Sequence, residues 1–342
     1  MVGSQRGLFK IGSERCIPLI GHIAFGVIDR GTNLIQVRPT SLCPLSCIFC
    51  STDAGPFSRY RQTEYVVKLK YLVEWFNALA EYKQVNDIEA HIDTVGDPLT
   101  YPELVELVKE LSRNPRVKVI SLQTHGSTLT ERKVDLLEEA GLSRINLSID
   151  ALDPQLARYL SGTPWYDVDR VKKVAEYIVQ NTRIDLLIAP VWVPGLNDAE
   201  IPRIIDYALK IGAGKTWPPL GIQKYVPHKF GRKPKRVSPM TWYKFYQKLR
   251  EWEEEYGVKL VLRPDDFNIY KVRPLPPVFE LGEKTTVKIV GPGWLKREWL
   301  AVARNRVVTL VDVPDMPPPV GKKAKVEVIR TKHSIYIAKL TA

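Results

Sequence analysis

Polar and apolar residues alternate strictly along several short stretches of this chain, and between those stretches apolar residues recur every three to four positions. The first pattern reads as strand and the second as amphipathic helix. Strands are predicted at Leu34–Arg38, Ile88–Thr94, Val117–Gln123, Ile145–Asp150, Ile184–Ile188 and Ile222–Val226. Helices are predicted at Glu64–Tyr82, Pro102–Arg113, Glu131–Ala140, Asp167–Gln180 and Ala199–Ile211. Ser238-Pro239 has the cap and first-turn chemistry that opens a further helix to about Tyr256. The spacing of Trp242, Phe245, Tyr246 and Trp252 on that helix predicts core packing.

Strand–helix alternation of this kind predicts parallel strands with helical crossovers. Six such units are too few for a closed eight-stranded barrel, so an α/β partial barrel is expected over residues 34–272. Residues 1–33 read as an N-terminal β extension, with Leu8–Ile11 and with Ile17–Ile28 broken at Gly21 and Gly26. After the proline-rich stretch Arg273–Pro277 the pattern changes. Short strands near Thr285–Val290, Glu298–Ala303, Val307–Val311, Ala324–Ile329 and Ser334–Leu340 predict a small all-β barrel of the oligonucleotide-binding (OB) kind over 278–342.

The alternation within the parallel strands is itself informative, because strands covered on both faces normally read as unbroken apolar runs. Here Glu89, His91 and Asp93 alternate with Ile88, Ala90 and Ile92, and Asn146, Ser148 and Asp150 alternate with Ile145, Leu147 and Ile149. Gln36, Arg38, Ser121, Gln123 and His125 continue the pattern. If the apolar faces meet the helices, the other faces form a polar interior. That interior either holds a large polar ligand or satisfies its own hydrogen bonds.

The 342 residues suit about two folded units, with 44% hydrophobic and 26% charged residues. No apolar run approaches the roughly 18 residues of a membrane span, and MVGSQRGLFKIGSER lacks the apolar core of a secretory signal. A soluble, cytoplasmic protein with no membrane partner is expected. Fifty Lys and Arg against 38 Asp and Glu leave a net charge of +12. Such an excess suits a polyanionic partner as well as simple solubility, and charge alone does not choose between them.

Four cysteines narrow the chemistry. Cys16 stands apart and reads as a small buried hydrophobe. Cys43-Pro-Leu-Ser-Cys47-Ile-Phe-Cys50 places three thiols in one loop straight after the first parallel strand. A disulfide framework would be spread out. Three thiolates on one loop can hold three corners of an iron–sulfur cluster, leaving one iron open. A zinc site would want a fourth ligand, and the nearest downstream histidine, His91, falls in a predicted strand.

The triplet, with Phe49 before its last cysteine, resembles the signature of the radical S-adenosylmethionine (SAM) superfamily. That resemblance implies a partial (β/α)6 barrel holding a [4Fe-4S] cluster on Cys43, Cys47 and Cys50, shielded by Phe49. It also implies that an electron from the cluster cleaves SAM to methionine and a 5′-deoxyadenosyl radical, drawn from a reductant such as ferredoxin or flavodoxin. Gly96-Asp97-Pro98 resembles the turn whose backbone receives the SAM amino group. Asn146, Ser148 and Asp150 sit where the family contacts the ribose. The stretch from Val191 through Asn197 resembles the segment against the adenine, and Gln123-Thr-His125-Gly126 is similar to the polar turn after strand three.

Residues 278–342 contain 12 Lys and Arg against 6 Asp and Glu, which is half the net charge. The final stretch, from Gly321-Lys322-Lys323 to Leu340, resembles a TRAM domain, a small barrel appended to RNA-modifying enzymes. Lys322, Lys323, Lys325, Arg330 and Lys332 are expected to contact phosphates and Tyr336 to stack on a base. A second basic run, Lys229, Arg232, Lys233, Lys235 and Arg236, is expected to guide a phosphate backbone. The reading is an enzyme that modifies RNA, most simply tRNA. The alternatives are a radical SAM enzyme acting on a peptide or small metabolite, and a nucleic-acid-binding protein with a structural zinc site.

Overall fold

The computed structural model describes residues 6–341; residues 1–5 of the expected N-terminal extension, and Ala342, lie outside the described residues. The first part runs β1 (Gly7–Ile11), β2 (Gly26–Asp29), β3 (Leu34–Arg38), β4 (Thr63–Val67), α1 (Leu69–Lys83), β5 (Ile88–Ile92) and α2 (Leu104–Ser112). There follow β6 (Val117–Thr124), α3 (Glu131–Ala140), β7 (Arg144–Leu147), α4 (Pro154–Ser161), α5 (Val168–Asn181) and β8 (Asp185–Ile188). Then come β9 (Val191–Trp192), α6 (Glu200–Ile211), β10 (Gln223–Lys224) and α7 (Trp242–Tyr256). Five more strands end the chain: β11 (Lys284–Pro292), β12 (Glu298–Ala303), β13 (Arg306–Val311), β14 (Lys323–Arg330) and β15 (Tyr336–Leu340).

The central sheet has the order β2-β3-β5-β6-β7-β8, with β2 antiparallel to β3 and the remaining neighbours parallel. Its register turns the sequence alternation into rows. Gln36, His91, Ser121, Arg144 and Asp185 are paired across five strands, and the next row is Val37, Ile92, Leu122, Ile145 and Leu186. The apolar row is wholly buried, as are the core faces of α2 at Leu104, Leu107, Val108 and Leu111 and of α5 at Val171, Val174, Ala175 and Ile178. Because successive side chains on a strand point to opposite faces, the polar row lines the other side.

Several expectations need correction. The sixth parallel strand is absent from this sheet. Only Gln223–Lys224 of the expected Ile222–Val226 is strand, and it pairs with β9, while Leu220 makes a single bridge to Ile188. Pro218, Pro219 and Pro227 leave few backbone donors there for a longer ladder. Residues 64–67 of the expected first helix belong to β4, a β-branched and aromatic segment paired with β1. α4 was not foreseen, although Asp153-Pro154 supplies a cap and a first-turn proline, and Asp153 Oδ1 accepts from Leu156 N at 2.7 Å. α7 starts three residues later than expected, capped by Thr241. Its Phe245 and Trp252 are buried, but Trp242 and Tyr246 are exposed. Cys16 is exposed as well.

The last five strands close into a barrel of order β11-β12-β13-β15-β14, with β13 and β15 parallel. Its core contains Val287, Ile289, Trp299, Val308, Leu310, Val326, Val328 and Tyr336. Tyr336 therefore does not stack on a base. Its ring packs edge-on against Phe279 at 5.0 Å, and its hydroxyl accepts from Val278 N at 3.3 Å. Trp294, Leu295, Leu300 and Val307 join the core of the α/β part instead. Backbone bonds from Val307 N to Ile20 O (2.9 Å) and Tyr336 N to Gly21 O (3.1 Å) fix the barrel on the 17–25 loop. The segment before it is tied down too, since Leu275 N donates to Asp29 Oδ2 at 2.7 Å and Asp29 pairs with buried Lys83. Among the described residues no helix is long and apolar enough to cross a membrane.

Candidate functional site

The loop after β3 carries Cys43, Cys47 and Cys50, all free thiols. Backbone contacts shape it closely. Asp97 N donates to Leu42 O at 2.8 Å, Ile48 N to Leu160 O at 2.9 Å and Arg232 N to Cys50 O at 2.8 Å. Gly96 lies so close that a Cβ there would stand 2.0 Å from Leu42 O, and one at Gly162 (φ +58°) would stand 2.2 Å from Ser46 O. Only glycine permits either approach. Beneath the loop, buried Arg61 donates to Ser41 O at 2.7 Å and Thr52 O at 3.0 Å, also bonds Val95 O, and pairs with Glu64 at 3.2 Å.

All three cysteines line one cavity of about 420 Å³ at the carboxyl ends of the parallel strands, where α/β folds place ligands. Burial pushes the Cys43 thiol up, with the Asp97 charge adding to the effect. Burial also pushes Cys47 well up, and the neighbouring Cys43 and Cys50 reinforce it. These thiols ionise only when a cationic centre takes the place of their protons. Among the described residues no group of three or more His, Cys, Asp or Glu converges on a single metal ion. Three thiols on one loop lining one cavity fit three corners of an iron–sulfur cluster, each sulfur on its own iron.

Phe49, Gly96, Gln123, Ser148 and Val191 line the cavity, together with His91, Asp93, His125, Lys224, Tyr225 and His228. His125 Nε2 lies 4.0 Å from Cys47 Sγ and its Nδ1 lies 3.8 Å from Asp150 Oδ2. The other expected contacts hold the cavity's frame and are absent from its lining. Asp97 accepts from Leu99 N (3.0 Å), Thr124 Oγ1 (2.8 Å) and His125 N (3.1 Å), and Pro98 opens the short helical turn that Asp97 caps. Asn146 Oδ1 accepts from Arg144 Nε at 3.0 Å. Asn197 donates to Asp150 O (2.8 Å) and Val191 O (2.9 Å) and accepts from Val193 N. Asp150 accepts from Val191 N at 2.8 Å, and burial raises its carboxyl despite that bond and the nearby His125.

Along the polar face several groups bond one another. Arg144 pairs with Glu89 at 2.5 Å, Ser121 Oγ donates to Glu89 Oε1 at 2.6 Å, and Gln36 and Arg38 bond Asp93 at 2.9 and 2.8 Å. Ser121 having given its proton to Glu89, the 2.7 Å contact with His91 Nδ1 makes that nitrogen the donor. Nε2 of His91 is then an acceptor, and burial lowers its pKa, favouring the neutral ring. His91 and Asp93 thus both line the cavity and belong to this network, in which Glu89 Oε2 and Arg144 Nη1 keep no partner among the described residues. His91, Lys224, Tyr225 and His228 were not singled out as site residues. His91 had a visible signal in its alternating strand and His228 in the basic run that it opens, whereas Lys224 and Tyr225 had none.

The basic run that follows β10 lies against the cysteine loop. Arg232 is tied to the cysteine loop, bonding Ala54 O and facing Asp53 at 3.5 Å. With Lys229, Lys233 and Lys235 it lines a separate cavity of about 550 Å³ that also includes Ser46 and Ile48. Arg236 is exposed with φ 61°. On the barrel, Lys322, Lys323, Lys325, Arg330 and Lys332 are all exposed.

A family model described as the radical SAM superfamily matches residues 37–208. An uncharacterised protein of Methanocaldococcus jannaschii is 43% identical over 95% of this chain and 79% of its own length. The GTP 3′,8-cyclase of Chlorobaculum tepidum is 28% identical over 52% of this chain, and the match spans half of that protein. Among solved structures, Streptococcus suis SuiB bound to S-adenosylmethionine is 17% identical, with a TM-score of 0.51 over 72% of this chain and 51% of that one, a likeness of fold.

Proposed function

The chain belongs to the radical SAM superfamily, and we propose that it uses that chemistry to modify RNA, most simply a tRNA nucleotide. Members of the superfamily use a [4Fe-4S] cluster and SAM, and they need a reductant; an acidic one-electron carrier of the ferredoxin or flavodoxin kind would serve. Cys43, Cys47 and Cys50 would hold the cluster. When bound, it supplies the electron for reductive cleavage of the SAM sulfonium bond. The protein's own part is to orient and to exclude. The backbone at Gly96 and the side chain of Gln123 would meet the amino-acid end of SAM, Ser148 its ribose and Val191 its adenine, while Phe49 keeps water from the sulfurs.

The observation that carries the RNA reading is a closed five-stranded barrel, rich in exposed cations, that is clamped to the cysteine loop itself. Arg61 binds loop carbonyls on one side and stacks on Trp294 of the barrel on the other, 4.7 Å from ring centroid to guanidinium carbon. Charge that neutralises phosphates is thereby held in fixed relation to the cavity. A free nucleotide substrate is the second reading, favoured by curated relatives named as GTP 3′,8-cyclases. The test is anaerobic reconstitution with iron and sulfide, followed by SAM, dithionite and either bulk tRNA or GTP. Nucleoside mass spectrometry of the tRNA should show a new mass and 5′-deoxyadenosine should form, both lost in Cys47→Ala. Turnover of GTP with unaltered tRNA would replace the proposal by the second reading.

A further inference from the structure

α7 divides its aromatic residues between two environments. Phe245 and Trp252 are buried against Trp192, with ring centroids 6.0 and 5.0 Å away. Trp242 is 55% exposed and Tyr246 39%. One helical turn apart, these two rings stack at 5.8 Å with 23° between their planes. The Lys224 ammonium lies 4.8 Å from the Trp242 ring centroid, and Lys224 also lines the cysteine cavity. Two links fix the exposed pair at the cavity rim. One is Lys224 on β10. The other is the buried Phe245–Trp192 contact, since Trp192 is on β9, which pairs with β10 and whose Val191 is a cavity wall.

The faces these rings leave in water contribute no burial energy to the fold, so a stacked pair mounted on buried Phe245 beside a ligand cavity points to an external partner. A cavity of about 420 Å³ stands at the small end of ligand sites. A polymer cannot enter it whole, and units flanking the reacting one must rest on the rim. Aromatic faces interleaved with cations are the chemistry of single-stranded nucleic-acid binding, because every base has a π face and every linkage a negative phosphate. An apolar peptide would leave Lys224 and the rim residue His228 without a role, and an acidic peptide would leave the rings without one.

We propose that Trp242 and Tyr246 form a stacking platform for an unpaired base next to the nucleotide that enters the cavity, with Lys224 meeting the phosphate between them. This rests on the RNA reading above.

The experiment compares binding of the full chain to two single-stranded twelve-nucleotide probes of equal charge, oligouridylate and the same backbone without bases. The wild type should prefer the base-bearing probe by roughly tenfold. Trp242→Ala should abolish that preference while still binding both probes, and Trp242→Phe should restore most of it. Lys224→Ala should weaken both probes alike. Thermal unfolding of Trp242→Ala should match wild type, since the ring is outside the core. An unchanged preference in Trp242→Ala, or equal binding of both probes by wild type, overturns the platform while the RNA reading stands. If wild type binds neither probe at low salt, the RNA reading fails and the platform falls with it.

Discussion

The guanidinium of Arg61 sits over the indole of Trp294 at 4.7 Å, joining a residue just after the cysteine loop to the first hairpin of the barrel. Arg61 is buried and also holds Ser41 O, Thr52 O and Glu64. Arg61→Met would leave buried Glu64 with Arg6 at 3.0 Å and the Ser41 hydroxyl at 2.5 Å, and would strip the carbonyls of Ser41 and Thr52 of their Arg61 donor. Removing one member of a buried pair costs on the order of 3–5 kcal/mol. Urea unfolding should show a loss in that range, and reconstituted protein should hold less iron and sulfide per chain. A variant within about 0.5 kcal/mol of wild type, a typical surface effect, would contradict the clamp.

Gly96 answers for the shape of the loop more than for any contact its missing side chain could make. A Cβ 2.0 Å from Leu42 O must move the loop or the 96–100 turn. Gly96→Ala should keep wild-type far-ultraviolet dichroism yet lose most cluster absorbance after reconstitution. Full cluster loading in that variant would mean the loop tolerates the shift.

Lys322, Lys323 and Lys325 are exposed, so their joint replacement by Ala should leave the barrel folded. If they neutralise phosphates, the slope of log affinity against log salt should fall by about 2 for single-stranded RNA, from roughly 0.7 per contact. An unaltered slope would remove these residues from the RNA surface.

Glu298 lies at the barrel's docking edge, where burial pushes its carboxyl up to about 7 although Leu295 N donates to it at 2.9 Å. Its folded pKa stands above the unfolded value near 4.5. The folded state therefore holds the extra proton between those values, and stability falls as pH rises through about 7. Gln accepts the same bond without ionising. Glu298→Gln should be more stable than wild type, with a gap that widens by about 1–2 kcal/mol from pH 5.5 to 8.5. A gap independent of pH would show that Glu298 stays ionised throughout.

Much of the framework was written locally. Glu131–Ala140 and Glu298–Ala303 were legible to the residue, because a helix needs only its 3.6 period and cap and a strand only its alternation and flanking turns. The cysteine triplet was legible for a similar reason: close spacing puts three sulfurs on one loop whatever surrounds it. β4 was misread because its short apolar run suits either period. What decided it was the parallel partner β1, more than fifty residues earlier.

The sequence alone determined which side chains share a face, where the thiols cluster, and that one end of the chain is a small basic barrel. Only the tertiary structure decided what covers each face. Asp97 and Asn197 carry the same polar label as Gln123, yet the first two spend their hydrogen bonds within the protein and Gln123 faces the cavity. Tyr336 and Trp242 are both aromatic, and the barrel closes over one while the helix leaves the other in water. Periodicity reports that an element has two sides, whereas burial depends on distant segments that pack against them.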